Sequence, residues 1–230
     1  MGLDLYSKIE PYLGFEDEIY SLHKLFLRFI MENDLDNILD IGCGQGYFLQ
    51  NLQINQKKYL GVDLSSEQIN ACLEKGLNAK NLDIKDLNQK FDCIVAIFDV
   101  LNYIKKPDLK TFLENVSNLL NKDAYFLFDI NTLYGFEEIA QGSINIDIED
   151  KFIAIDAFFE NSKLQTNITL FEKQGNNLFS KEQDSITQEY HSKEFLKELL
   201  EKSGFTIVDI KEFFLHSDEK ADKLIFICKK

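Results

Sequence analysis

The 230-residue chain is long enough for one domain with an insertion, and its 45% hydrophobic content, with 20 Phe against 2 Pro, excludes a disordered chain. The net charge of −14 argues against nucleic acid as an obligate partner, because phosphates repel an acidic surface and the lysines are scattered among acids. No apolar stretch approaches the ~20 residues of a membrane span and residues 1–6 lack the features of a signal peptide, so a soluble cytoplasmic protein, monomer or homodimer, is expected.

Residues 1–14 read as irregular, with Tyr6 and Tyr12 flanking Pro11. A helix is expected from about Glu16 to Met31, its apolar face carried by Ile19, Leu22, Phe26, Phe29 and Ile30 and its first turn acidic. His23 is placed on its surface. Residues 37–41 form a first core strand, and Gly42, Gly44 and Gly46 then turn the chain into a helix from Tyr47. Residues 58–63 give a second strand, and Ser65 caps a helix that Gly76 closes. A weak third strand covers 78–82. The run Phe91–Phe98 reads as a central strand covered on both faces, Asp108 as the cap of the next helix, and 124–130 as a fifth strand. Strand and helix alternate, which argues a mostly parallel α/β sheet with right-handed crossovers.

The period changes after Gly142. Ile144, Ile146 and Ile148 alternate with polar residues, as do Leu164, Thr166, Ile168 and Leu170, then Ile186, Gln188 and Tyr190. With Gly175-Asn176-Asn177 as a turn, residues 142–191 read as an antiparallel insertion in a single domain spanning 1–230. Ser192 then caps a helix ended by Gly204, and strands at 205–214 and 223–228 finish the chain.

The four cysteines, Cys43, Cys72, Cys93 and Cys228, form no CxxC pair, and buried free thiols in a reducing compartment are expected. With His23, His191 and His216 far apart in the chain, no metal site is expected.

Two features carry the functional reading. A glycine turn between strand and helix lets a ligand approach the backbone without a Cβ clash, although it also serves as a tight turn alone. Asp63 ends the second strand, at the distance from that turn where an acid accepts both hydroxyls of an adenosine ribose; a solvated strand-end acid is the plainer reading.

The spacing Gly42-x-Gly44-x-Gly46, with Asp40 before it and Asp63 after it, resembles the class I S-adenosylmethionine-dependent methyltransferases over residues 37–130. The final strands fit that family's antiparallel hairpin. The resemblance implies a Rossmann-like doubly wound α/β sheet of order 3-2-1-4-5-7-6. The stretch Phe128-Asp129-Ile130-Asn131-Thr132 with the insertion after it is similar to small-molecule members such as sugar N-methyltransferases.

S-adenosyl-L-methionine is the cofactor so implied. Gly42, Gly44 and Gly46 would line its methionine and ribose portion, with Asp40 holding the turn or the amino group through water. Asp63 would accept from the ribose hydroxyls and Leu64 would lie against the adenine. Asp83 and the Ile84 N–H would meet the adenine edge, and the Phe98 carbonyl the methionine amino group. The family's base-methylating Asn/Asp-Pro-Pro-aromatic motif is absent from residues 98–103, which removes the best argument for DNA.

Asp99 and Tyr103 are candidate catalytic groups and Asn102 a candidate substrate contact, each with helix capping or packing as the alternative. His191 reads as a general base or as a surface histidine at a helix start. Tyr6 and Tyr12 close over the site or pack on the core. Phe152, Phe158 and Phe159 form core or interface, or wall an apolar acceptor pocket. The insertion is expected to cover the acceptor.

The expected reaction is N- or O-methylation of a small molecule. A NAD-dependent oxidoreductase, a non-catalytic S-adenosylmethionine-binding module and a macromolecular methyltransferase are the alternatives.

Overall fold

Apolar runs in the central strands are buried on both faces of one twisted sheet. The computed structural model describes residues 2–175, 178–216 and 219–230. Strands β1 (Asn37–Ile41), β2 (Lys58–Asp63), β3 (Ala79–Asn81), β4 (Phe91–Ala96) and β5 (Leu120–Asn131) run parallel. Strand β11 (Lys223–Lys229) joins β5 antiparallel, and β10 (Thr206–Phe213) lies outside it, so the seven strands run β10-β11-β5-β4-β1-β2-β3. This is the Rossmann-like order expected, with the last strand in sequence inserted beside β5.

Side chains alternate across this sheet into two cores. Leu39, Ile94, Phe126 and Phe128 face α5 (Leu109–Leu119) and α6 (Lys193–Lys202). Ile38, Cys93, Val95 and Leu127 face α2 (Glu16–Glu32), α3 (Tyr47–Ile54) and α4 (Ser66–Glu74). Each fully buried Leu, Ile or Phe contributes about 1.5–3 kcal/mol, so this double cover is the main stabilising term. All four cysteines are buried and free.

Three local expectations are corrected. Residues 1–14 are not irregular: α1 (Gly2–Ile9) is a helix, and a 3-10 turn follows at Glu10–Tyr12. Eight residues rarely hold a helix alone; this one is stabilised because Leu5 and Ile9 share a face that packs on the insertion. His23 is not on the surface of α2 but 7% exposed, because it flanks the stripe of Leu22, Phe26 and Ile30. Asp108 precedes α5 without a capping hydrogen bond from its side chain. Ser65 and Ser192 do cap, each accepting from a backbone N–H three residues on at 3.3 Å.

The insertion is a second sheet. Strands β6 (Gly142–Ile148), β7 (Lys151–Glu160), β8 (Lys163–Gly175) and β9 (Leu178–Glu189) pair antiparallel in chain order. The turn expected at Asn176-Asn177 lies outside the described residues. Ile153, Ile155, Ile168, Leu170 and Ile186 make one apolar face, covered by Leu5 and Ile9 of α1. The N-terminal helix thus rests on the insertion. It also reaches the first sheet, where Ser65 donates to Asp4 at 2.6 Å and Gln45 to the Ser7 carbonyl at 3.1 Å. Among the described residues, no helix is long and apolar enough to cross a membrane, and no group of His, Cys, Asp or Glu is placed to hold a metal ion.

Candidate active site

The carboxyl ends of β1, β2 and β4 open onto a cavity of about 900 Å³. Its floor is the turn after β1. The N–H groups of Gly42 and Cys43 donate to the Val62 carbonyl at 2.8 and 3.1 Å, which ties the turn to β2. All three glycines have positive φ: +69° at Gly42, +52° at Gly44 and +81° at Gly46. Their surroundings differ. A Cβ on Gly42 would meet Val100 at 2.8 Å, and one on Gly46 would meet Leu77 at 2.5 Å and the Cys72 sulfur at 2.9 Å. A Cβ on Gly44 would meet nothing within 4 Å. Gly46 therefore serves packing and lies off the cavity wall, whereas Gly44 leaves backbone open to the cavity.

Asp63 is locked beneath this opening. Its Oδ2 accepts from the Gly44 N–H at 3.0 Å and its Oδ1 from the Ser65 N–H at 2.8 Å. Burial pushes this carboxyl up, and the backbone N–H groups oppose that. Each oxygen keeps a lone-pair site for a further donor. Asp40, 2% exposed at the end of β1, is pushed well above the carboxylate range by burial and then by the charge of Asp63. Leu64, Asp83 and Ile84 line the far end; Leu64 is 56% exposed, and Asp83 pairs with Lys85 at 3.1 Å.

At the opposite end, Phe98 and Asp99 both adopt left-handed backbone, with φ of +64° and +59°. Two consecutive non-glycine residues in that region are strained and need outside support. Asp129 of β5 supplies it: one carboxylate oxygen accepts from the Phe98 N–H at 2.7 Å and the other from the Asp99 N–H at 3.2 Å. Lys223 of β11 donates to Asp129 at 2.9 Å, to Asn131 at 3.1 Å, and also to Asp99. Gln188 of β9 donates to the other oxygen of Asp99 at 3.4 Å. Burial works against charge on both Asp129 and Lys223. Their mutual contact and the second carboxylate on the lysine favour charge, and hold the group as an ion triad.

The other sequence candidates separate into two groups. Tyr103 and Tyr6 line the cavity. Tyr103 is 37% exposed, and the raised affinity of its phenol for the proton reflects the recess it faces rather than isolation from solvent. Asn102 and His191 do not line it. Asn102 is fully buried: its amide donates to the Glu189 carbonyl at 2.8 Å and its oxygen accepts from the Asn131 N–H at 3.1 Å. His191 is 1% exposed, with Nε2 at 3.1 Å from the carbonyls of both Leu101 and Ile104. Two acceptors there require the proton on Nε2, and burial keeps the ring neutral. Tyr12, Phe152, Phe158 and Phe159 also lie off the cavity; from the insertion, Ile186 and Thr187 reach it.

Sequence reasoning missed His23, Asp129, Lys223, Glu10 and Gln188. One signal was available: Asp129 is a lone charge in the apolar run Phe126–Ile130, and a buried charge implies a partner. Glu10, raised by burial and held by the amides of Gln68 and Gln45, lines the cavity from the segment read as irregular.

A family model described as "Methyltransferase domain" matches residues 15–210. The chain belongs to this methyltransferase family. A protein of Geobacillus sp. (strain WCH70) whose name is that of a methyltransferase is 24% identical over 208 residues, 84% of each chain. An S-adenosylmethionine-dependent methyltransferase from Clostridium acetobutylicum ATCC 824 superposes with a TM-score of 0.77 at 26% identity, covering 98% of this chain and 96% of that one. CalS10, an amino pentose methyltransferase from Micromonospora echinaspora solved with S-adenosylmethionine bound, shares the fold with a TM-score of 0.73 at 14% identity over 98% and 96%.

The protein is an S-adenosylmethionine-dependent methyltransferase, which sets aside the nicotinamide alternative. The residues present suit this cofactor. Gly44 leaves open space where a Cβ would stand, and the fixed Asp63 carboxylate beside it offers acceptors for hydroxyls rather than a cradle for phosphate.

Proposed function

We propose that this methyltransferase acts on an amine nitrogen of a small-molecule acceptor. One observation carries the reading: beyond the glycine turn, the same cavity continues between Tyr6, Tyr103 and Asp99 under the insertion residues Ile186 and Thr187, and its wall is acidic. Among the described lining residues, the acids Glu10, Glu16, Asp63, Asp83 and Asp108 outnumber the one lysine, Lys85, itself paired with Asp83, while burial disfavours charge on Asp40 and Lys223 offsets that of Asp99. Such a wall favours a basic acceptor over an anionic one. The amino pentose acted on by CalS10 is consistent with this.

When bound, S-adenosylmethionine supplies a methyl group already activated on its sulfonium. The open backbone at Gly44 would admit the ribose, Asp63 would accept from its hydroxyls, Leu64 and Ile84 would flank the adenine, and Asp83 would accept from its amino group. The Gly42 and Phe98 carbonyls would accept from the methionine ammonium. Asp99 and Tyr103 orient the acceptor amine, whose proton passes to water. The insertion, with α1 beneath it, covers the acceptor and limits water. Holding both partners in line is the chief contribution of the chain, and such orientation accounts for about 7–11 kcal/mol of barrier in the best cases.

The test is S-adenosylhomocysteine release over matched acceptor pairs that differ only in an amine or a hydroxyl. Turnover confined to amines supports the reading; turnover confined to alcohols or carboxylic acids overturns it.

A further inference from the structure

Two thiols lie behind the glycine turn, and methyl transfer uses neither. Both sulfurs reach the Gly44 carbonyl, that of Cys72 in α4 at 3.2 Å and that of Cys43 in the turn at 3.8 Å. They are also hydrogen-bonded to each other. Each is held against a glycine. A Cβ on Gly61 of β2 would stand 2.8 Å from the Cys43 sulfur, and one on Gly46 would stand 2.9 Å from the Cys72 sulfur. The pair is therefore packed side by side under the residue of the turn whose backbone is open to the cavity.

The two thiols differ in access and in acidity. Cys43, 7% exposed, lines the cavity, whereas Cys72 is fully buried behind it. The contact with Cys43 holds the Cys72 thiol below its ordinary range in spite of burial, and the charge of Lys75 adds to this. The contact with Cys72, then burial, pushes Cys43 up. A thiol made acidic by its neighbours, with a second thiol touching it, has the makings of an oxidisable pair. Cys93 and Cys228, fully buried in β4 and β11, are pushed up by burial and have no such partner among the described residues.

We propose that Cys43 and Cys72 form a peroxide-sensitive dithiol whose disulfide distorts the glycine turn and closes the protein to its cofactor. Hydrogen peroxide enters through the cavity. The Cys72 thiolate attacks one peroxide oxygen, the O–O bond breaks, and the departing hydroxide takes up the thiol's proton as water, leaving a sulfenic acid. The Cys43 sulfur then attacks the Cys72 sulfur, and the sulfenic hydroxyl leaves with the Cys43 proton as a second water. Two thiols are oxidised and one peroxide is reduced. The disulfide takes both S–H groups from the Gly44 carbonyl and draws α4 onto the turn. The loss of cofactor rests on the placement of the cofactor at Gly44.

The experiment treats the intact chain with hydrogen peroxide. Linkage is followed by peptide mapping in the mass spectrometer, S-adenosylhomocysteine affinity by calorimetry, and folding by thermal unfolding. In wild type a Cys43–Cys72 peptide pair should form, affinity should fall about tenfold or more, as for strain at one backbone residue, and dithiothreitol should restore it. Cys72→Ser should keep the affinity of its own untreated sample, and Cys72→Ala takes its place if that variant does not fold. Cys43→Ser should accumulate a sulfenic acid on Cys72 that dimedone traps. Cys93→Ser should respond as wild type does. Absence of the Cys43–Cys72 pair overturns the proposal, as does its presence with unchanged affinity. Untreated Gly44→Val tests the placement separately: normal binding there means that the cofactor does not lie on the turn, whatever the thiols do.

Discussion

The carboxylate of Asp129 accepts from the backbone N–H of Phe98 at 2.7 Å, and so fixes a left-handed residue at the end of the central strand from inside the neighbouring one. The same carboxylate carries the ammonium of Lys223. Backbone shape and buried charge are therefore one arrangement. Lys223→Met would leave Asp99 and Asp129 without their cation, and a loss of about 3–5 kcal/mol is expected in urea unfolding, as for breaking a buried pair. Asp129→Asn should cost less stability, because one amide oxygen still accepts, but should lower turnover by letting residues 98–99 relax.

The glycines of the turn should respond in two different ways. Gly44→Val places a side chain in open space, so it should abolish S-adenosylhomocysteine binding in calorimetry while the protein stays folded, with a penalty of about 1–2 kcal/mol for an L-residue at φ +52°. Gly46→Ala forces a methyl group against Leu77 and Cys72 and should lower the melting temperature more than Gly44→Val does. A Gly44→Val protein that binds normally would reduce the whole turn to a structural element.

Asp63→Ala removes two acceptors and frees the N–H groups of Gly44 and Ser65. Cofactor affinity should fall by roughly 1.5–3 kcal/mol, the range for a hydrogen bond to a charged group. Unchanged affinity would remove Asp63 from the site.

His23 gives the protein an acid-side weakness. Burial lowers its folded pKa to about 4 from the ordinary 6.5, so between those values the unfolded chain binds a proton that the folded chain does not. Its stabilising contribution is complete above pH 6.5 and is lost as pH falls towards 4, by roughly 3 kcal/mol in all. Denaturant unfolding at several pH values should show this slope in wild type and not in His23→Gln; equal slopes would contradict it.

His191 separates support from catalysis. Its Nε2 proton serves the carbonyls of Leu101 and Ile104, so His191→Ala should lower stability by about 1–3 kcal/mol through those unsatisfied groups. The pH–rate profile of the folded variant should keep its shape. A vanished limb in that profile would restore the general-base reading.

The order of the main sheet was legible because central strands such as 91–98 and 124–130 read as uninterrupted apolar runs, and because glycine spacing marks the turn. The insertion was legible through period-two alternation. What stayed hidden depends on distance in sequence. Lys223 meets Asp99 across 124 residues, and nothing local to either marks the pairing. His23 sits at the flank of an apolar stripe, where a one-turn view cannot tell a buried edge from a solvated one. Helix α1 was hidden because its stabilisation comes from Ile153, Ile168 and Ile186, over 140 residues away in the chain. Asn102 and His191 have polar types that suit a site, yet their hydrogen bonds serve the loop that carries Tyr103.

Helix α1 is joined to both sheets at once. Lys8 pairs with Glu182 on the insertion at 2.7 Å, Asp4 accepts from Ser65 at the start of α4, the Ser7 carbonyl accepts from Gln45 of the glycine turn, and a Cβ on Gly2 would collide with the Ser185 carbonyl at 2.3 Å. Under the proposed placement of cofactor and acceptor, the two would not be independent: α1 ties the insertion to the glycine turn, so displacing one loads the contacts of the other.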